Sequence, residues 1–217
     1  MIRRLILLRH GQTEYNATDR MQGQLDTDLS ELGRTQAKTA AAELATREPI
    51  RIVSSDLRRA LDTAVALGDA AGVSVTQDER LRETHLGEWQ GLTHTEVDGI
   101  APGARPAWRA DATIAPPGGE SRIDVARRSV PVVRELLSGV AEWGADGDQR
   151  PLVLVAHGGL IAALTAALLD LPTDRWPVLG GLANTSWVQL GAHGDGADPA
   201  WRLDVWNASA RVASDVL

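Results

Sequence analysis

Leu5-Ile6-Leu7-Leu8-Arg9-His10-Gly11 runs four apolar residues straight into a guanidinium, an imidazole and a glycine. Consecutive apolar residues of this length read as a strand buried on both faces. Open α/β sheets built from such strands take their ligands at the strands' carboxyl ends. The pattern therefore puts Arg9 and His10 where a ligand sits. A fixed cation beside an imidazole suits attack on a phosphoryl group whose oxygens the arginine holds.

Working outward, the next strand reads as Ile50–Ser54, another as Val73–Thr76, and the most apolar, Leu152–Ala156, as central. Helices are predicted from the N-cap Ser30 to Ala45, from Leu57 to Ala70, from Glu120 to Glu142, and from His157-Gly158-Gly159 to Leu169. Leu57, Ala60, Leu61, Ala64 and Leu67 are expected on one helix face, and Gly72 ends that helix. Gly11–Leu29 and 115–119 read as loops, and Asp146–Arg150 as a turn. Two late strands, Ser186–Leu190 and Trp201–Val205, flank a hairpin loop at Gly194–Pro199. This order predicts an α/β protein: a three-layer α/β/α sandwich, mostly parallel, with an antiparallel edge. One domain over 1–217 is expected, with a lid or cap inserted at about 84–119.

Composition narrows the function classes. No run of ~18 apolar residues is present, so no membrane span is expected. Met1-Ile2-Arg3-Arg4-Leu5 starts like a leader, but Arg9 and His10 interrupt the apolar stretch. Cysteine is absent, which excludes disulfides, thiol catalysis and cysteine metal sites and fits a cytoplasmic protein. A net charge of −7 argues against nucleic acid as partner, so a phosphate site must be a local basic pocket. Seven Trp against one Tyr and no Phe carries no functional weight by itself.

Four segments carry chemistry. In the first, His10 must be neutral to attack; neighbouring arginines disfavour imidazolium, and a backbone hydrogen bond to the other ring nitrogen fixes the tautomer. Gly11 lets the backbone approach a ligand, and Asn16 follows. In the second, Ser54-Ser55 ends a strand and a helix begins; that helix start and Arg59 favour an anion, whereas Arg58 reads as solvated surface. In the third, Ala156-His157-Gly158-Gly159 repeats the strand–His–Gly layout, so both imidazoles face one crevice if the strands are neighbours. His157 is then a phosphate ligand, with the Gly158 and Gly159 amides as further donors. The fourth, Leu81 to Gly91, offers Glu83 or Glu88 as proton donor to a departing oxygen, and the residues alone leave that choice open. His85 and His94 share this region without a metal-binding pattern, and no Gly-x-x-x-x-Gly-Lys, Gly-x-Gly-x-x-Gly or Gly-x-Ser-x-Gly motif is present. No metal or cofactor is expected.

Together these segments resemble the histidine phosphatase superfamily, the phosphoglycerate mutase-like fold. Arg9-His10-Gly11 matches its Arg-His-Gly signature, and Ser55 through Ala64 its Ser-x-Leu-x-Arg-Ala-x-x-Thr-Ala element, which selects Arg59. Glu83 matches its acid/base glutamate, and His157-Gly158 its second His-Gly. The resemblance implies that His10 and Glu83 are catalytic, His10 carrying phosphate covalently, and that Arg9, Arg59, His157 and Asn16 hold the phosphoryl group. It places Gln22, Gly23 and Gly158 in contact with substrate, and implies a homodimer. Met21–Thr27, Leu81–His94, Ala101–Arg105 and Trp201–Asn207 further resemble an actinobacterial branch that dephosphorylates glucosyl-3-phosphoglycerate to glucosylglycerate, on the route to methylglucose lipopolysaccharides. The expected partner is thus a small phosphorylated sugar acid. Its carboxylate calls for another cation at the mouth, for which Arg109 and Arg122 are candidates, while Trp89 or Trp108 stacks on the sugar or packs the lid. The alternatives are a phosphoglycerate mutase, a broad small-molecule phosphatase, or a non-catalytic phospholigand-binding module; the presence of both His10 and Glu83 weighs against the last.

Overall fold

A computed structural model describes residues 1–196 and 198–210. The expected domain and hairpin loop therefore extend over positions outside the described residues. In chain order the elements are β1 (Ile2–Arg9), α1 (Glu14–Ala17), α2 (Glu31–Ala45), β2 (Arg51–Ser54), α3 (Arg58–Ala71) and β3 (Val75–Gln77). There follow α4 (His94–Ile100), α5 (Ala104–Ala110), α6 (Arg122–Gly139), β4 (Leu152–Ala156), α7 (Gly158–Leu168), β5 (Trp187–His193) and β6 (Ala200–Ala208). The six strands form one sheet in the order β3-β2-β4-β1-β5-β6. The first four run parallel, while β5 pairs antiparallel with both β1 and β6. The sandwich and its antiparallel edge are as the sequence implies.

The period of two along each strand explains the three layers. Leu5 and Leu7 of β1 pack with Leu152 and Leu154 of β4 against α6 and α7. Ile6 and Leu8, with Val153 and Val155, point the other way, onto α2 and α3. Leu5 to Leu8 are all at most 1% exposed, and burying each contributes roughly 1.5–3 kcal/mol. A third, smaller cluster of Met21, Leu86, Trp89 and Val97 holds segment 84–119 together, with Trp108 packed on it. Among the described residues no helix is long and apolar enough to cross a membrane.

Local differences from the sequence reading have local causes. The stretch expected as loop after Gly11 contains α1, because Thr13 and Asn16 form a reciprocal cap. The long helix starts two residues later than expected, since Ser121 caps it through the Asp124 amide. The third strand is shifted to Val75–Gln77, where it meets β2. On α3 the buried face is Arg59, Ala60, Thr63, Ala64, Leu67 and Gly68, and Leu61 is only half-buried. A 3-10 turn at Thr173–Val178 carries no sequence signal we identified.

Candidate active site

Strand register builds the site. β1 and β4 are parallel neighbours with Arg9 opposite Ala156. Each strand is followed at once by a histidine, and the His10 amide extends the ladder to the Ala156 carbonyl at 3.1 Å. The two imidazoles therefore stand side by side, ring centroids 5.1 Å apart. β2 flanks β4 on its other side, and the Ser55 amide donates to the Val155 carbonyl at 2.9 Å, which sets Ser55 beside His157. The turn after Ser55 leads into α3, whose second residue is Arg59.

A carbonyl acceptor fixes the His10 tautomer. His10 Nδ1–H donates to the Gly11 carbonyl at 2.6 Å, leaving the Nε2 lone pair, which accepts from Arg59 Nε at 3.3 Å. His157 Nε2 lies 3.0 Å from Ser55 Oγ. That hydroxyl already accepts from the Leu57 amide, so its own hydrogen is free to donate to Nε2. With Ser55 donating to Nε2, the proton of His157 sits on Nδ1, which is buried and has no partner. Arg9 Nε is likewise buried and unpartnered, although its terminal nitrogen donates to the Leu182 carbonyl. Two orphaned donors beside a lone pair mark a place for the oxygens of an anion.

Electrostatics agree. Burial, reinforced by the Arg59 and Arg9 charges, holds the His10 pKa well below the usual imidazole value, so the ring is neutral at pH 7. His157 is shifted the same way by burial, then Arg59 and His10. Burial lowers the pKa of Arg9 and brings that of Arg59 to about 10, partly offset in each by Glu83. Two buried guanidinium groups thus share one carboxylate.

This has a measurable consequence for stability. The unfolded chain protonates both histidines below about pH 6.5, whereas the native state keeps them neutral, so stability falls as pH drops. Each histidine contributes up to about 1.4 kcal/mol per pH unit. Urea denaturation at pH 6.5 and 5.5 is expected to show a slope about one proton smaller for His157→Gln than for the parent.

The cleft, about 170 Å³, is lined by Arg9, His10, Asn16, Arg20, Gln22, Gly23, Arg59, Glu83, Thr84, Leu86, Trp108 and Gly159. It brings together most of the residues expected from sequence. Glu83 lines the cleft, whereas Glu88 is exposed and does not. Arg59 is 1% exposed, whereas Arg58 sits at the surface paired with Asp28. Asn16 Oδ1 accepts from the Thr13 amide and from Asn184 Nδ2, so its amide nitrogen is the group left for a ligand. Gln22 Oε1 accepts from Thr27, and the Gly23 carbonyl accepts from Arg59. Trp89 is buried in the small cluster, so only Trp108 reaches the cleft.

Three expectations need correction. Gly158 does not line the cleft; it backs onto Arg9, and Gly159 takes the place. The amide of Gly159 is not free, because with that of Leu160 it donates to the Glu83 carboxylate, at 3.1 and 3.0 Å. A Cβ on Gly159 would stand 2.6 Å from Glu83 Oε1, so glycine is what lets the carboxylate reach the start of α7. Gly11 is required by a backbone rather than a ligand: a Cβ there would lie 2.4 Å from the Gly33 carbonyl oxygen. Sequence reading passed over Ser55 as an individual residue, and also Arg20, Thr84 and Leu182. Among the described residues no group of three or more His, Asp or Glu is placed to hold a metal.

Comparison with known proteins agrees with this geometry. The family model described as histidine phosphatase superfamily (branch 1) matches residues 5–209. The chain is 70% identical to a glucosyl-3-phosphoglycerate phosphatase of Mycolicibacterium vanbaalenii, over 100% of this chain and 99% of that protein. It is 66% identical to one of Mycobacterium tuberculosis, over 99% of each. The structure of mycobacterial glucosyl-3-phosphoglycerate phosphatase with inorganic phosphate superposes with a TM-score of 0.91, at 66% identity, over 97% of this chain and 100% of that one.

Proposed function

The chain belongs to the histidine phosphatase superfamily, branch 1, and from that premise we propose that it hydrolyses glucosyl-3-phosphoglycerate to glucosylglycerate and phosphate by way of phosphohistidine. One observation carries the chemistry: a neutral His10 whose Nε2 lone pair stands among two buried guanidinium groups and an unpaired His157 Nδ1. The substrate comes from the two relatives named above, which match along the whole chain.

In this reading Arg9, Arg59 and His157 take the phosphoryl oxygens, with Asn16 at their edge. The His10 Nε2 lone pair forms a bond to phosphorus as the ester P–O bond breaks, and Glu83, acting as general acid, gives a proton to the departing glycerate oxygen. Glu83 then takes a proton from water, whose oxygen attacks phosphorus and releases His10. Gln22 and Gly23 border the substrate, and segment 84–119 acts as the lid through Leu86 and Trp108. Fixed donors aimed at the developing charge supply much of the rate enhancement. The enzyme works in the cytoplasm as a homodimer; β6, a nine-residue strand at an open sheet edge, supports association with a second copy.

Phosphate release from glucosyl-3-phosphoglycerate, mannosyl-3-phosphoglycerate, 3-phosphoglycerate and p-nitrophenyl phosphate tests the substrate. The first is expected to lead the others in kcat/KM by about tenfold or more, the scale of one or two well-placed contacts. Equal rates across the panel would defeat the assignment, as would isomerisation of 3-phosphoglycerate. The placement of Glu83 has its own test. Gly159→Ala is expected to fold normally but to push the carboxylate aside, lowering kcat by about 10²-fold, the scale of a 1 Å misplacement.

A further inference from the structure

Trp108 borders the cleft, and phosphoryl transfer does not explain its surroundings. Its indole Nε1–H is buried and has no hydrogen-bond partner. The Arg122 guanidinium lies over its ring, Cζ 5.6 Å from the centroid. Trp89 meets the ring edge-on at 5.9 Å and holds its plane. Arg122 begins α6 directly after the cap Ser121, and Arg109 follows Trp108 in α5. Neither arginine has a hydrogen bond or ion pair among the described residues.

The acidic side chains of this region are committed elsewhere. Asp98 is held by Arg105 and also feels the charge of the exposed Arg109, Asp111 is held by Thr113, Asp124 by Ser121 and Arg127, and Glu120 by Arg128. Burial and the like charge of Arg109 both disfavour the Arg122 cation. A half-buried Arg122 with no counter-charge, beside a buried unpaired N–H, is costly in the empty protein, and an anion in contact with both offsets that cost, while the exposed Arg109 adds positive potential beside it.

We propose that Trp108 Nε1 and Arg122, with the exposed Arg109 at the rim, form a second anion subsite at the mouth of the cleft, which takes the carboxylate of a phosphorylated sugar acid. The inference rests on the substrate class proposed above. A guanidinium is matched to a planar carboxylate through paired N–H donors, and the indole contributes one more. A phosphomonoester with no second anionic group leaves these donors unpaired, so the subsite selects by chemistry rather than by size.

The test is a cycle between protein and ligand. The parent, Arg122→Met, Arg109→Gln and Trp108→Phe are assayed on glucosyl-3-phosphoglycerate and on its carboxamide, with circular dichroism as the control for folding and p-nitrophenyl phosphate as a substrate without the carboxylate. The parent is expected to prefer the acid over the amide by about 10- to 100-fold, the range for hydrogen bonds to a charged group. Arg122→Met is expected to lose most of that preference, and the other two variants a smaller share. Preference in all three within twofold of the parent's would overturn the subsite while leaving the phosphatase reading intact. A parent that hydrolyses p-nitrophenyl phosphate but not the sugar acid would overturn the substrate reading, and the subsite with it.

Discussion

Replacing His10 with alanine is expected to lower kcat/KM on glucosyl-3-phosphoglycerate by about 10⁴-fold or more, as loss of a covalent nucleophile does elsewhere. The protein keeps Arg9, Arg59, His157 and Glu83, so it still binds phosphate; what disappears is the lone pair that makes the first bond. His157 is no substitute. Its Nε2 is engaged by Ser55 and its Nδ1 carries the proton, so it presents a donor where attack needs a lone pair. Phosphate binding by the variant, followed calorimetrically, separates a lost nucleophile from a lost fold: binding is expected to persist while turnover does not. Turnover at the parent's rate would end the covalent account.

Glu83→Gln is the second large effect, about 10²- to 10⁴-fold on the sugar substrate, the range for general acid–base catalysis. The amide keeps the shape of the side chain but has no acidic proton to give, and its nitrogen replaces an oxygen that accepts from one of the two amides, Gly159 or Leu160, that the carboxylate now satisfies. The two half-reactions respond differently. p-Nitrophenolate leaves without a proton, so its release from the variant stays fast while water attack on phosphohistidine becomes slow. Rapid mixing is therefore expected to show a burst of about one equivalent of p-nitrophenol, then slow turnover. Equal slowing of the first turnover on both substrates would contradict the acid role.

Residues that adjoin a strand end were legible from sequence, and residues placed by contacts distant along the chain were not. His10 and His157 could be paired because each follows an apolar strand directly, and parallel neighbours carry such positions to one place. Arg59 could be separated from Arg58 by its family motif. Glu83 and Glu88 were equivalent on the residues alone, since what distinguishes them is the start of α7, some 76 positions from Glu83 in the Gly159 contact. The same distance effect explains Gly11, whose partner is Gly33 in the first turn of α2. Gly158 was favoured over Gly159 by one position; with His157 as N-cap, Gly158 packs behind Arg9 and Gly159 takes the inner position. The Ser55 contact that orients His157 spans 102 positions, and no local pattern announces it.

The account turns on a covalent bond between His10 and phosphorus, and intact-protein mass spectrometry of acid-sensitive intermediates reads that bond directly. Glu83→Gln is mixed with p-nitrophenyl phosphate, stopped in base within the burst, and digested to locate the label. The expected result is one phosphoryl group per chain, stable in base, lost in acid, and carried by the peptide containing His10. Release of p-nitrophenol in a full burst with no phosphoryl group on that peptide would contradict the account.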